Sequence, residues 1–248
     1  MNLGFENKVI IVSGGARGIG EGIVKTLLEE KAIPVVIDLR PSTINGVTTI
    51  NADLTNPEAC AKAIAQIVEQ FGTIHGLVNN AGVNDGVNLE HGNYESFMQS
   101  MHKNLVHYYL LAHHALPYLK KNKGSIVNIS SKTAETGQGG TSAYAAANGG
   151  RNALTREWAV ELLPYEIRVN SVVVAECYTP MYQEWIQTQS NPEEKLKAIQ
   201  ANIPLGKRFT TPEEIGHTVC FLLSEKSSHT TGQIVHVDGG YVHLDRAL

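Results

Sequence analysis

Short runs of aliphatic and β-branched residues recur along the chain, each closed by glycine, asparagine, serine or aspartate. Lys8–Val12 (KVIIV) is apolar at consecutive rather than alternate positions, which predicts a strand buried on both faces, as central parallel strands are. Pro34–Ile37, Val47–Ile50, Gly76–Val78, Ser125–Ile129, Ile167–Val174 and Gln233–Val237 read as further strands. Between them the apolar spacing changes to that of a helix: Ile19, Ile23, Leu27 and Leu28, then Ala61, Ile64, Ile67, Val68 and Phe71 after Pro57. Tyr94–Lys121 is predicted helical with a break, and Ser142–Leu163 is a helix stopped by Pro164. Thr211-Pro212-Glu213-Glu214 has an N-cap, a proline at the first helical position and an acidic first turn, ahead of Ile215, Val219, Leu222 and Leu223. Strand and helix alternate without linker, repeat or low-complexity stretch. That predicts one α/β domain over residues 1–248, a doubly wound parallel sheet with helices on both faces. One stretch interrupts the alternation, an insert at about 180–203 carrying Tyr182, Trp185, Ile186, Leu196 and Ile199. It reads as a substrate-covering lid or as ordinary packing.

The first strand runs into Ser13-Gly14-Gly15-Ala16-Arg17-Gly18-Ile19-Gly20 and then a helix. Strand, glycine-rich turn and helix in this order form a dinucleotide-binding unit of the Rossmann type. The glycines admit a pyrophosphate, and the helix start offers free N–H groups. The spacing is G-x-x-x-G-x-G rather than the commoner G-x-G-x-x-G. Asp38 ends the second strand, about twenty residues on, where a carboxylate binds ribose hydroxyls and repels a 2′-phosphate, so NAD is expected over NADP. Arg17 and Arg40 lie nearby and either soften that preference or are solvated surface residues. Asn79-Asn80-Ala81-Gly82 closes the fourth strand, at the end where an open α/β sheet binds its ligand.

The stretch Ser130–Asn148 (SSKTAETGQGGTSAYAAAN) is where chemistry is expected. A serine pair ends a strand, a glycine-rich loop follows, and Tyr144 opens a helix. A tyrosine hydroxyl beside a serine hydroxyl can pass a proton to or from a carbonyl or alcohol oxygen, provided something lowers the phenol from its usual pKa of ~10. Asn148 lies one helical turn past Tyr144, on the same face.

Composition narrows the partners. A net charge of −4 with mixed signs leaves no footprint for nucleic acid or an anionic membrane. Cys60, Cys177 and Cys220 are widely spaced and odd in number, which argues against disulfides or a zinc site. His102, His107, His113 and His114 share one predicted helix and are read as polar or surface positions, so no metal is expected. The first residues lack the basic-then-apolar pattern of a signal peptide, and no apolar run approaches a membrane span. A cytoplasmic protein is expected.

Taken jointly, the glycine turn from Ser13 to Gly20, the N-N-A-G motif at Asn79–Gly82, Asn104 within a helix, Ser131 and Tyr144 thirteen residues later resemble the short-chain dehydrogenase/reductases over the whole chain. The resemblance implies that Ser131 holds the substrate oxygen, Tyr144 is the general acid/base, and Asn104 anchors a water in a proton relay. It further implies that Asp53 meets the adenine, Asp38 the ribose and Thr179 the nicotinamide carboxamide. The cofactor set expected from motif and resemblance together is Ser13, Gly14, Arg17, Gly18, Ile19, Gly20, Asp38, Asp53, Leu54, Asn80, Ala81, Gly82, Tyr144, Asn148 and Thr179. The segments AGVNDGV, NISSKTA, TGQG, ALTREWAVEL, PLGKRFTTPEEI and DGGYVHLDRAL resemble bacterial L-fucose dehydrogenases most nearly, and more loosely vertebrate 17-beta-hydroxysteroid dehydrogenases. A homotetramer built through the two long helices is also implied, with the tail Val242–Leu248 reaching a neighbouring site.

Two positions depart from the family pattern. The lysine that follows the tyrosine by four residues is Asn148 here. An amide can bond the ribose but brings no charge, and a nearby cation shifts a pKa by ~1–3 units, so its loss alone weakens the site at neutral pH. Lys132 and Arg151 are the cations near enough to substitute, although the direction of the Arg151 side chain is open. The family's Pro-Gly after the sixth strand reads Val174-Ala175, and then comes Glu176, able to accept sugar hydroxyls.

The expectation is an NAD-dependent oxidoreductase acting on a sugar-like alcohol or carbonyl, most concretely an L-fucose-type aldose oxidised to its lactone. Ser131, Gln138, Glu176, Tyr182 and Trp185 are the expected substrate contacts, with Asp85 and Glu135 as further candidates. The rivals are an NAD(P)H-dependent reductase of a keto sugar acid or a 3-oxoacyl substrate, and a non-catalytic dinucleotide-binding scaffold.

Overall fold

The computed structural model describes residues 2–244. Its seven strands are β1 (Val9–Ser13), β2 (Ile33–Asp38), β3 (Thr48–Asn51), β4 (Gly76–Asn79), β5 (Ser125–Ser131), β6 (Arg168–Val174) and β7 (Ile234–Val237). They form one parallel sheet in the order β3-β2-β1-β4-β5-β6-β7. Every expected strand is present, with ends moved by a residue or two. β1 and β4 extend to Ser13 and Asn79, and β5 extends to Ser131 because its last residue still pairs with Val174.

Helices α1 (Gly18–Glu29) and α8 (Pro212–Leu223) cover one face, where Ile23, Val24 and Leu27 meet Ile215, Val219 and Leu222 over Ile10, Val12 and Val127. A Cβ on Gly22 would lie 2.4 Å from Pro212 Cβ, so glycine is what lets these helices touch. The other face carries α2 (Pro57–Phe71), α4 (His107–Asn122) and α5 (Ser142–Glu161), which bury Ile64, Ile67, Tyr108, Leu111 and Trp158 against Ile11, Leu77 and Ile126. Asn56 caps α2, and Thr211 with Glu214 forms the capping box that starts α8.

The break expected within 94–121 is a π-helical turn, His102–Val106, between α3 (Tyr94–Met101) and α4. The insert is two short helices, α6 (Pro180–Ile186) and α7 (Pro192–Ala201). Of the small-residue face on α5, Ala143, Ala147 and Gly150 are used inside the chain: a Cβ on Gly150 would lie 2.8 Å from Leu105. All three cysteines are buried and free. Among the described residues no helix is long and apolar enough to cross a membrane. The tail is described through Leu244, and Asp245–Leu248 lie outside the described residues.

Candidate active site

Strand order reverses between β1 and β4, and the carboxyl ends of β1, β2, β4, β5 and β6 open on the same side. That is the place where a doubly wound sheet leaves a crevice for a ligand. Ser13 braces it: its Oγ accepts the N–H groups of Asn80 (2.9 Å) and Ala81 (3.1 Å), while Asn80 Nδ2 donates to the Ser13 and Gly14 carbonyls, both at 3.0 Å. Gly14 has φ of 65°, and a Cβ there would lie 2.8 Å from Ala81 Cα; one on Gly20 would lie 2.1 Å from the Gly14 carbonyl. No larger residue fits at either position. Arg17 precedes α1 without capping it through its side chain, which suits a helix start offered to an anion.

Asp38 Oδ2 accepts the Ala16 N–H (3.1 Å) and Oδ1 the Arg40 N–H (3.1 Å), so the carboxylate is held at the glycine turn. Asp53 accepts the Thr55 hydroxyl (2.7 Å) and N–H (2.9 Å), bonds that hold its carboxyl below the ordinary range. Leu54 and Ile19 are half-buried. Thr179 caps α6 and stands 3.4 Å from where a Cβ on Gly18 would lie, so the insert begins directly over the glycine turn. The Arg17 guanidinium pairs with Glu184 of α6 at 3.1 Å, a second tie between turn and insert. A cradle a Cβ would fill, a helix start and a positioned carboxylate together fit a dinucleotide.

Ser131 ends β5, its Oγ accepting the Thr133 N–H at 3.3 Å, and Tyr144 sits half-buried in the first turn of α5. Asn104 is buried in the π-helical turn, where its Oδ1 accepts the Val83 N–H (2.8 Å) and its Nδ2 donates to the Ser100 carbonyl (3.0 Å). Asp85 accepts the Ser100 hydroxyl at 2.7 Å and faces Lys103 at 3.5 Å. It therefore holds the helix that carries Asn104, which accounts for its carboxylate without a substrate.

Asn148 is fully buried, and both ends of its amide are engaged within the chain. Nδ2 donates to the Tyr144 carbonyl (2.8 Å) and Oδ1 accepts from Arg151 Nη1 (2.9 Å). The Arg151 side chain, whose direction the sequence leaves open, turns inward and is 3 % exposed. Its Nε donates to the Asn104 carbonyl (2.7 Å), its Nη1 also to the Ile129 carbonyl (3.1 Å), and its guanidinium carbon lies 4.4 Å from the Tyr108 ring centre. Among the described residues it has no carboxylate partner. A Cβ on Gly82 would lie 2.7 Å from Arg151 Nη2, so glycine there makes room for the cation. Tyr108 is held well above its ordinary pKa by burial, and the Arg151 charge acts on it in the opposite sense. Burial, then Arg151, pushes His107 down to about 3. It is a neutral buried side chain whose Nε2 lies 3.0 Å from the Lys103 carbonyl.

Lys132, the other candidate cation, is committed elsewhere. It is buried, ion-paired with Glu176 and 4.3 Å from the Tyr241 ring centre. Glu176 is likewise buried and also accepts from the Tyr182 hydroxyl, which burial and then this carboxylate hold far above the ordinary range. Trp185 meets Tyr182 edge-on at 5.2 Å, and Phe209 closes the aromatic group at 5.4 Å from Tyr182. Gln138 is exposed on the loop between Gly137 and Gly139. Glu135 faces away from this group, onto His236 (3.0 Å) and Asn152 (3.3 Å).

The chain belongs to the short-chain dehydrogenase/reductase family. A family model described as enoyl-(acyl carrier protein) reductase matches residues 14–242. The chain is 33 % identical to the L-fucose dehydrogenase of Rattus norvegicus over 95 % of this chain and 90 % of that one. It is 32 % identical to a 3-oxoacyl-[acyl-carrier-protein] reductase of Thermotoga maritima over 96 % and 99 %. Among solved structures it is similar to the Cj0485 dehydrogenase, with a TM-score of 0.96, 45 % identity and coverage of 100 % and 99 %. It is accordingly an oxidoreductase acting on CH–OH groups, and its family implies a NAD(P) cofactor.

Proposed function

We propose that this oxidoreductase is an NAD-dependent dehydrogenase of a neutral polyhydroxylated substrate, an aldose of the L-fucose type oxidised at its anomeric carbon to the lactone. The observation that carries this reading is the buried Lys132–Glu176 pair, one residue past Ser131 and backed by Tyr182 and Tyr241. It offers donors and an acceptor for hydroxyl groups while its charges cancel, so it supplies no spare cation for the carboxylate of a sugar acid. Asp38 supports NAD, because a 2′-phosphate beside its carboxylate meets like charge.

In this reading Tyr144 takes the substrate hydroxyl proton and Ser131 steadies the oxygen. The bound nicotinamide supplies the acceptor for the hydride. Asp38 and Thr179 orient the two ends of the cofactor, and α6 with Tyr182 and Trp185 covers the substrate. Arg151 supplies the positive charge that the family's lysine brings and Asn148 lacks. It donates to the Asn104 carbonyl and to the Asn148 amide oxygen, one helical turn past Tyr144. A guanidinium does not deprotonate in a protein, and among the described residues this one has no carboxylate partner, so a buried positive charge stands beside Asn148. The same feature speaks against a non-catalytic scaffold.

The test is a substrate panel: NADH formation from L-fucose and other aldoses, the same with NADP, and NAD(P)H consumption with keto sugar acids and 3-oxoacyl thioesters. Turnover of aldoses with NAD is expected. Turnover of 3-oxoacyl thioesters without any of aldoses supports the second reading, a reductase, which the similarity to the Thermotoga maritima protein favours.

A further inference from the structure

Three metal-ligand side chains from distant stretches meet beside the sheet edge: Glu135 in the loop after β5, His236 on β7, and His243 in the closing tail. His236 Nε2 lies 3.0 Å and His243 Nε2 3.9 Å from the same oxygen, Glu135 Oε2, and the three ligand atoms all fall within 4.8 Å of one another. The imidazole rings stand at 86° with centres 4.4 Å apart, edge-on. His236 bonds Glu135 directly, and the exposed His243 adds a second imidazole nitrogen facing the same carboxylate oxygen.

The supports are in place as well. Asn152 Nδ2 donates to the other carboxylate oxygen of Glu135 at 3.3 Å, as amides that fix metal-binding carboxylates do. His243 is carried on an anchored turn, because buried Asp238 accepts the N–H groups of Gly240 and Val242 at 2.8 Å each. Tetrahedral zinc with nitrogen and oxygen ligands at about 2.0–2.2 Å sets ligand atoms about 3.4 Å apart. The separations of 3.0 and 3.9 Å lie on either side of that value. Two imidazoles with one carboxylate suit zinc or a neighbouring transition metal, whereas magnesium and calcium prefer oxygen throughout.

We propose that Glu135, His236 and His243 bind a divalent transition-metal ion, zinc foremost, and that this ion fastens the carboxyl-terminal tail to the loop following Ser131. The Glu135 N–H donates to the Lys132 carbonyl (3.0 Å), and the same tail lays Tyr241 over Lys132. An ion here therefore stiffens the wall that carries the Lys132–Glu176 pair. The proposal stands on these three side chains and not on the identity of the substrate.

Tag-free protein stripped with a chelator and titrated calorimetrically with zinc chloride tests it. One zinc per chain is expected, unaffected by excess magnesium and weakened at least about tenfold by His243→Ala and by Glu135→Gln. His114→Gln, away from the cluster, should leave the titration as it was, and His243→Ala changes only an exposed side chain, so its folding is not in question. Absence of saturable zinc binding overturns the proposal, as does zinc binding that survives both substitutions unchanged.

Discussion

Asn148 and Arg151 are best understood as one unit. The family's lysine combines a charge with a long donor; here an amide fills the near position and a guanidinium one turn on sends its charge back past it, Nη1 to Oδ1 at 2.9 Å. Restoring lysine alone should therefore do harm. Asn148→Lys puts a second cation against a buried one, and we expect lower stability and no gain in turnover, whereas Asn148→Lys with Arg151→Ala should recover activity. Chemical denaturation and initial rates on the two single variants and the double variant check this, and a gain from Asn148→Lys alone would sink the pairing. Of the two cations near Asn148, chain position does not tell which one serves. Arg151 is the stronger candidate by sequence except that its side-chain direction is open, and only the fold turns it inward and commits Lys132 to Glu176. The room that Gly82 leaves for the guanidinium is equally invisible, since Gly82 already belongs to the N-N-A-G motif.

At the level of elements, what the chain spells out locally is what the sequence reveals. Consecutive β-branched runs mark strands because a central parallel strand is buried on both faces, and Asn56-Pro57 and Thr211-Pro212 announce helix starts through their caps. The π-helical turn at His102–Val106 has no such signature; from outside the helix the Val83 N–H holds Asn104 and Asp85 holds Ser100, one turn before it. Nothing in the sequence joins Glu135, His236 and His243, for the same reason: their spacing is unlike that of any local metal motif. The outer faces of α3, α4 and α5 keep Tyr94, Tyr109 and Val160 exposed at 73 %, 52 % and 66 %. We propose that these helices pair chains into a homotetramer, and light scattering of the purified protein should give four chains. A monomer at micromolar concentration would contradict it.

For the whole molecule, buried polar groups couple stability to pH. His107 sits in the core with its pKa depressed from 6.5 to about 3 by burial and then Arg151, so the unfolded chain binds a proton that the folded chain refuses. Its contribution is complete above about pH 6.5 and is lost as pH falls toward 3, amounting to about 2 kcal/mol between pH 6.5 and 5. Glu214, held down to about 2 by Arg208 and the Thr211 N–H, adds a loss that begins only near pH 4.5. Denaturant unfolding at pH 6.5 and pH 5 should show the drop in the native chain and a smaller one in His107→Phe. Equal drops would mean that His107 is not the group responsible. The doubly wound parallel sheet, the ligand-binding strand ends and the dinucleotide turn are legible in the sequence, because glycine spacing and strand patterning are local, whereas the strand order β3-β2-β1-β4-β5-β6-β7 is set by packing. Glu176 and Tyr182 stand out in the sequence, but their meeting with Lys132 and Tyr241 does not, since the four come from separate segments.

The measurement that bears most directly on this account is the pH profile of NAD reduction by L-fucose, for the native chain and for Arg151→Gln. If Arg151 stands in for the missing lysine in a sugar dehydrogenase, the native chain turns over at neutral pH. The variant then falls at least about tenfold there and regains rate as the solution becomes alkaline. Equal profiles for the two proteins, or a variant whose loss is the same at every pH, would contradict that role for Arg151.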